Sequence, residues 1–300
     1  MAGGGVKLPR PTAVVFSAGV ARSAAEVGMF DMAIKSGVKP DLVVGSSFGA
    51  INAAAVAVDP TRCVANLTDF WAALAADKAW TSRLRGVWRA VTSKQPVRAG
   101  ELLRGHLNEM LGEGTLDGGP TRGCCVATDL VTGLASEIDS GSAADAAMAA
   151  AAVPLLLPAV INADQVLVDG GVVAAAPIEA ALDRGAKSVV LLDVGASAQS
   201  VASIAAMRWY EVGLLAYAHV IRGQTASALV KAAASVPVVV ISNDSGDLID
   251  FKATGEMIKH GRASSKRRFA ALPTRISRPG LYGIPTGMEH DHRLLELVGH

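Results

Sequence analysis

One serine lies in a sequence that could make it a nucleophile. Ser47 is the central residue of Gly45-Ser46-Ser47-Phe48-Gly49, a Gly-x-Ser-x-Gly pattern that follows an apolar run and precedes another. A sharp strand-to-helix turn strains the backbone at such a serine and places its hydroxyl at the helix N-terminus, where developing negative charge is stabilised. The setting favours a nucleophilic serine. The alternative is an ordinary Gly/Ser-rich turn that caps a helix, since the chain has 31 glycines.

A serine hydroxyl needs a base within hydrogen-bonding distance to act as a nucleophile. None of the six histidines lies in a predicted strand-end loop, and we expect His219 to be a packed core or rim residue. Asp169 fits better because it follows the apolar run 166–168, and sites in open parallel sheets form at the carboxyl ends of strands. Gly170 and Gly171 allow a tight turn after it. Asp169 is the candidate base, with an ordinary Asp-Gly-Gly turn as the alternative.

The elements that must position these residues follow from apolar periodicity. Residues 13–17 and 41–45 are typical of buried strands, and residues 20–35 and 48–58 are typical of helices. This order predicts a right-handed parallel strand–helix–strand–helix unit. Further strands are predicted at 123–129, 134–139, 165–168, 188–194 and 236–242, and further helices at 143–152, 178–183 and 201–233.

Residues 61–122 interrupt this alternation and are predicted to be helical and amphipathic. They hold three of the four tryptophans, with basic residues nearby: Trp71, Trp80, Trp88, Arg83, Arg85, Arg89, Lys94 and Arg98. Segment 68–98 would form a cap or a membrane-facing surface, because Trp suits a lipid interface and Arg suits anionic headgroups. The alternative is a plain helical pair packed on the sheet.

Composition limits the remaining classes. Hydrophobic residues make up 51% and charged residues 18%, which suits a large core and excludes a mainly disordered chain. The net charge of +1 argues against a nucleic-acid partner. The three cysteines lack metal-type spacing, so we expect reduced, buried thiols and a cytoplasmic location.

The expected organisation is one domain between two less regular ends. Residues 1–11 are predicted to be a flexible lead-in without a signal peptide, 12–262 the domain, and 263–300 an irregular tail that begins with a basic run. The apolar stretch 146–163 contains Pro154 and Pro158, which favours a helix end and a buried loop over a membrane span.

The two motifs together resemble those of patatin-like phospholipases. The pentapeptide continues as Ala-Ile-Asn-Ala over 50–53, and Val168-Asp169-Gly170-Gly171 is followed by Pro177-Ile178. The order of the motifs matches the family, and the resemblance covers residues 13–60 and 123–195. It implies a three-layer α/β/α fold with a mostly parallel central sheet. It also implies a Ser47–Asp169 dyad that works without histidine, metal or cofactor.

The resemblance further implies an oxyanion hole in the loop after the first strand. The family has a Gly-x-Gly-x-x-Gly pattern there, with a basic residue before the last glycine. Residues 17–23 keep Gly19 and the basic Arg22, but have Ala18, Val20 and Ser23 at the pattern glycines. The expected donors to the oxyanion are the backbone N–H groups of Gly19 and Val20, together with that of Phe48.

The implied reaction is hydrolysis of lipid acyl esters through an acyl-enzyme, as in a phospholipase A or lipid acyl hydrolase. The implied partner is a lipid or acyl-ester substrate, with peripheral contact to a membrane. A carboxylesterase, thioesterase or acyltransferase with the same dyad is an alternative. An alternative of another class is a patatin-fold binding or regulatory protein with weak or no activity, which the altered glycine loop favours.

Overall fold

The computed structural model describes residues 5–84, 95–154, 156–162, 164–195 and 209–298, and nine strands of these segments form one sheet. The strands are β1 (Thr12–Phe16), β2 (Leu42–Ser46), β3 (Arg122–Asp129), β4 (Ala135–Ile138), β5 (Val160–Asn162), β6 (Gln165–Val168), β7 (Ser188–Asp193), β8 (Pro237–Ser242) and β9 (Gly280–Tyr282). Their order is β5-β6-β3-β2-β1-β7-β8-β9, with β4 also paired to β3. All pairs from β3 to β9 in this order are parallel, whereas β4, β5 and β6 pair antiparallel.

Helices cover both faces of this sheet. They are α1 (Ala24–Lys35), α2 (Phe48–Val58), α3 (Cys63–Ala76), α4 (Lys78–Leu84), α5 (Gln95–Leu111), α6 (Ala143–Ala150), α7 (Ile178–Asp183), α8 (Trp209–Ala233), α9 (Thr254–Ala270) and α10 (His292–Leu295). Side chains of α7, α8 and α10 pack on one face, and those of the other helices pack on the opposite face. In β1, Val14 and Phe16 face one core while Ala13 and Val15 face the other. Burial on both faces explains the continuous apolar runs of the strands and confirms the three-layer α/β/α prediction.

The tryptophans of segment 61–122 belong to the core. The described parts of this segment form α3, α4 and α5. Trp71 is 0% exposed and Trp80 is 2% exposed, and their rings lie 6.1 and 6.4 Å from the Phe48 ring at the start of α2. For these two tryptophans, the packing favours a helical pair packed on the rest of the domain over a membrane-facing surface. Trp88, Arg85, Arg89 and Lys94 lie outside the described residues.

The two ends of the chain are more regular than expected. In the expected lead-in, the Val6 N–H donates to the Ser36 carbonyl at 2.8 Å, and Lys7 forms a β-bridge with Arg275. In the expected tail, α9 continues to Ala270 and β9 extends the sheet beside β8. The strand β9 has three residues, as does the equally unexpected β5, and such short strands leave no detectable periodicity. The bounds of the domain stay a prediction.

The apolar stretch 146–163 is divided as the prolines suggest. Helix α6 ends at Ala150, and the loop that follows buries Ala151, Ala152 and Leu157. The last part of the stretch forms the largely exposed strand β5, which was not expected. Within the described segments, no helix combines the length and the apolar character needed to cross a bilayer.

Candidate active site

Ser47 occupies a strained turn between a strand and a helix. It follows the last residue of β2 and precedes the first residue of α2, with φ 55° and ψ −141°. Only Val20 and Ser47 combine a side chain with positive φ in the described chain. Such backbone is costly for residues other than glycine and persists where the surrounding structure enforces it.

The glycines on each side of Ser47 allow the chain to approach itself closely. A Cβ atom on Gly49 would lie 2.4 Å from the Ser17 carbonyl oxygen, and one on Gly45 would lie 2.5 Å from the Gly49 carbonyl oxygen. Neither distance is compatible with a side chain. The Gly-x-Ser-x-Gly pattern therefore lets the turn pack directly against the end of β1.

Asp169 lies within hydrogen-bonding distance of Ser47. The Ser47 Oγ donates to Asp169 Oδ2 at 2.5 Å, and the Gly171 N–H donates to Asp169 Oδ1 at 2.8 Å. Asp169 is 6% exposed and Ser47 is 2% exposed. Burial raises the pKa of Asp169 from 3.8 to about 6, although both hydrogen bonds act to lower this pKa. The pair thus combines a hydroxyl with a carboxylate of raised basicity.

The antiparallel strand β6 brings Asp169 to the nucleophile. Val168 pairs with Thr128 of β3, and the Thr128 hydroxyl donates to the Asp169 carbonyl at 2.8 Å. The Asp169 N–H donates to the Ala152 carbonyl at 3.0 Å. A Cβ atom on Gly170 would lie 1.9 Å from the Val126 carbonyl oxygen, so only glycine fits between the turn and β3. These contacts hold the Asp-Gly-Gly turn on both sides.

The loop after β1 keeps two of its N–H groups unpaired. The N–H groups of Ser17, Ala18, Ala21 and Arg22 donate to other carbonyl oxygens, and that of Ser17 also donates to the Glu26 carboxylate. Those of Gly19 and Val20 have no acceptor among the described residues. The same holds for the N–H of Phe48, the first residue of α2. These are the three groups predicted to contact an oxyanion.

The loop also lies next to the Asp169 turn. The Ala18 N–H donates to the Ala175 carbonyl at 2.7 Å, and a Cβ atom on Gly171 would lie 3.1 Å from the Ala18 Cβ. Val20 has φ 49°, so it adopts the left-handed backbone that the family pattern assigns to glycine.

Arg22 points its guanidinium toward a different loop. Its Nε donates to the Gly246 carbonyl at 2.9 Å, and the side chain is 8% exposed. Burial lowers the pKa of Arg22, and the nearby Asp247 and Asp244 oppose this effect. It forms no hydrogen bond with Ser47 or Asp169, so its visible role is to connect residues 244–250 to the loop after β1.

None of the histidines that the structure describes takes part in the dyad geometry. His106 contacts Asp77 at 3.2 Å, and His219, His260, His290 and His292 are exposed. None of these five contacts Ser47 or Asp169, and His300 lies outside the described residues. His219 is exposed on α8, so of the two expected positions, core or rim, the core position was wrong.

Sequence reasoning missed two polar residues that support the loop after β1. Glu26 of α1 and Asn52 of α2 are both 0% exposed. Glu26 accepts a hydrogen bond from the Ser17 N–H, and Asn52 donates one to the Ser23 carbonyl. The available signal was a carboxylate and an amide on helical faces that are otherwise apolar.

Comparison with known proteins identifies the family. A profile of the family described as "Patatin-like phospholipase" matches residues 14–182, which is more than half of the chain and includes both Ser47 and Asp169. One similar solved structure is VipD from Legionella pneumophila, with 12% identity, a TM-score of 0.45, and coverage of 88% of this chain and 67% of that chain. A likeness of this size supports no argument about function. No curated protein matches the chain. The chain belongs to the patatin-like phospholipase family.

Proposed function

We propose that this protein is a serine hydrolase that cleaves acyl esters of lipids through a Ser47–Asp169 dyad. The family is one of lipid acyl hydrolases, which supports this activity in general terms. The observation that supports the dyad is the 2.5 Å hydrogen bond from Ser47 Oγ to a buried Asp169 carboxylate, at a strained strand-to-helix turn. A nucleophile and a base within hydrogen-bonding distance are what acyl transfer requires.

In the proposed first step, Ser47 Oγ attacks the carbonyl carbon of the ester as Asp169 accepts the hydroxyl proton. The carbonyl electron pair moves to oxygen, which becomes an oxyanion. The N–H groups of Gly19, Val20 and Phe48 donate to this oxyanion. Their lack of acceptors in the described chain supports this role, because unpaired N–H groups are available to a ligand.

In the proposed second step, the tetrahedral intermediate collapses and the alcohol leaves with the proton held by Asp169. The acyl group remains on Ser47 as an ester. Water then attacks this ester while Asp169 accepts a proton from the water. Collapse of the second intermediate releases the fatty acid and returns the proton to Ser47. Neither a metal nor a cofactor takes part in these steps.

The altered loop does not argue for an inactive relative. Val20 adopts the positive φ that glycine would adopt, and a valine N–H donates as well as a glycine N–H does. A carboxylesterase, thioesterase or acyltransferase would use the same residues. The first two differ from a lipid hydrolase in the acyl donor and the group that leaves it, and an acyltransferase differs in the acceptor that replaces water.

Activity-based labelling tests the dyad. We expect Ser47→Ala to abolish both hydrolysis of a short-chain aryl ester and labelling by a fluorophosphonate probe, because the nucleophile is gone. Asp169→Asn should also be inactive, whereas His219→Ala should retain wild-type activity. Unchanged labelling of Ser47→Ala would rule out the nucleophile. An active Asp169→Asn beside an inactive His219→Ala would favour a Ser–Asp–His hydrolase.

We also propose that the protein contacts lipid surfaces through an exposed apolar cluster beside the site. Its members are Leu130, Val131, Leu134 and Ile161, which are 57%, 65%, 68% and 78% exposed. The cluster borders β6, the strand that carries Asp169. The Leu130 N–H donates to the Val166 carbonyl at 2.8 Å, and Ile161 pairs with Val166 from the other side. Contact here would place the dyad next to the lipid from which an ester must be drawn.

A further inference from the structure

A buried carboxylate lies behind the loop after β1 and is not used in the proposed reaction. Glu26 is 0% exposed, and its carboxylate accepts hydrogen bonds from two amide N–H groups and, at 3.5 Å, from the Ser17 hydroxyl. Oε1 accepts from the Ser17 N–H at 2.7 Å, and Oε2 accepts from the Asn52 amide nitrogen at 2.9 Å. Burying a carboxylate costs free energy, and here the hydrogen bonds that it accepts must compensate this cost.

The direction of these hydrogen bonds is fixed by Trp71. An indole N–H can only donate, and that of Trp71 faces Asn52 Oδ1 at 3.2 Å. The amide nitrogen of Asn52 must therefore face the other way, toward the Ser23 carbonyl at 2.8 Å and toward Glu26. Since the Ser17 N–H also only donates, both carboxylate oxygens of Glu26 act as acceptors.

The two residues held in this way lie at opposite ends of one short loop. Ser17 precedes Gly19 and Val20, and Ser23 follows them. Val20 has φ 49°, a conformation that a β-branched residue keeps only when its surroundings enforce it. Glu26 holds the first end directly and holds the second end through Asn52.

We propose that Glu26 is a positioning residue that fixes the loop from Ser17 to Ser23, and with it the two N–H groups aimed at the oxyanion. This inference rests on the proposed hydrolase function. Burial raises the pKa of Glu26 well above its usual range, while the hydrogen bonds from Asn52 and Ser17 act to lower this pKa. The hydrogen bonds from Ser17 and Asn52 that stabilise the carboxylate are also the contacts that hold the loop from Ser17 to Ser23.

The test replaces Glu26 by a neutral residue of the same size. In Glu26→Gln one acceptor oxygen becomes an NH2 group, which must face a donor, either the Ser17 N–H or the Asn52 amide. We expect kcat for an aryl ester to fall roughly 10- to 100-fold, less than complete loss of one oxyanion donor. KM should stay nearly constant, because the loop acts on the transition state. Fluorophosphonate labelling of Ser47 should slow in parallel.

Asp31→Asn is the matched control for a purely structural effect. Asp31 is a second buried carboxylate of α1, but it pairs with Lys35 and Arg262 and does not contact the loop. This variant should lower the unfolding temperature and leave kcat of the folded protein unchanged. If Glu26→Gln does not fold, Asn52→Ala tests the second connection, because it removes the donor to the Ser23 carbonyl.

The outcomes separate this inference from the proposed function. A wild-type kcat in folded Glu26→Gln or Asn52→Ala, beside an inactive Ser47→Ala, would overturn the role of Glu26 and leave the hydrolase intact. An equal loss of kcat in Asp31→Asn would also overturn it. Absence of labelling in the wild-type protein would instead refute the proposed function itself. In the double variant Glu26→Gln/Asn52→Ala, kcat should fall little further than in the worse single variant, because the two residues act as one unit.

Discussion

At the scale of residues, the titration of Asp169 connects activity with pH. Its carboxyl must be ionised to accept the Ser47 proton, and its pKa is raised to about 6. We expect kcat/KM to increase with pH through an apparent pKa near this value and then to level off. A profile that is flat from pH 5 to 8 would contradict a carboxylate base of raised pKa.

The same shift has the opposite effect on stability. The folded pKa of about 6 exceeds the ordinary 3.8, so between these values the folded state binds more protons than the unfolded state. The contribution of Asp169 to stability is therefore present below pH 4 and is lost as the pH rises through 6. Thermal unfolding of Asp169→Asn should show a higher stability than the wild type at pH 8, with a smaller difference at pH 4.

Sequence patterns predicted the two reactive residues but not their supports. Ser47 and Asp169 are each marked by neighbouring glycines, because both turns bring backbone atoms too close for a side chain. Glu26 and Asn52 carry no such mark. A single polar residue in an apolar helix indicates a supporting role only when its hydrogen-bond partners are known. Here the partners lie in the loop after β1 and on other helices that are distant in sequence.

At the scale of elements, α1 and α9 cross in backbone contact. A Cβ atom on Gly28 would lie 2.1 Å from the Ile258 carbonyl oxygen, and one on Gly261 would lie 2.1 Å from the Ala25 carbonyl oxygen. Helices approach this closely only where both lack side chains. The close approach of α1 and α9 therefore depends on these two glycines.

This crossing makes opposite predictions for two glycines of α9. Gly261→Ala should reduce the free energy of unfolding by about 1–3 kcal/mol, because the helices must separate. Gly255→Ala, in the first turn of the same helix, meets no atom within 4 Å of its new Cβ. It should leave the stability unchanged or increase it by up to about 1 kcal/mol. Denaturant unfolding of both variants checks this, and equal effects would contradict the contact.

The nature of this contact explains why α9 was not predicted. Its buried side holds Thr254, Met257, Ile258, Gly261, Ser265 and Phe269, of which three are small or polar. The basic run at 266–268 further weakens the difference between an apolar and a polar face of this helix. Close packing by small residues thus removes the periodicity by which a helix is normally found.

At the scale of the whole molecule, the sheet extends well beyond the segment that marks the family. The match ends at residue 182, whereas β7, β8 and β9 follow it and β7 pairs directly with β1. The strands β7 and β8 were predicted because they are buried on both faces and read as apolar runs. The layered architecture was thus predictable, and the short additions at its edges were not.

The exposed apolar cluster of Leu130, Val131, Leu134 and Ile161 predicts that the protein binds lipid surfaces. The wild type should pellet with zwitterionic liposomes at both low and high salt, since the contact is apolar. The double variant Leu134→Asp/Ile161→Asp should lose this pelleting and keep activity on a water-soluble aryl ester. The control Val212→Asp changes an exposed residue of α8, outside the cluster, and should pellet normally. Pelleting of the double variant at the wild-type level would contradict the proposed surface.

The crossing of α1 and α9 also constrains how the sequence can change in evolution. The matched segment contains α1, whereas α9 begins about seventy positions past the end of that segment. The family match therefore covers only one of the two helices that form this contact. A descendant that exchanged its C-terminal part for another would keep Gly28 of α1 and need another element that packs closely against it. Substitutions at Gly28 and Gly261 are thus expected to have arisen together, as a correlated pair, and not one at a time.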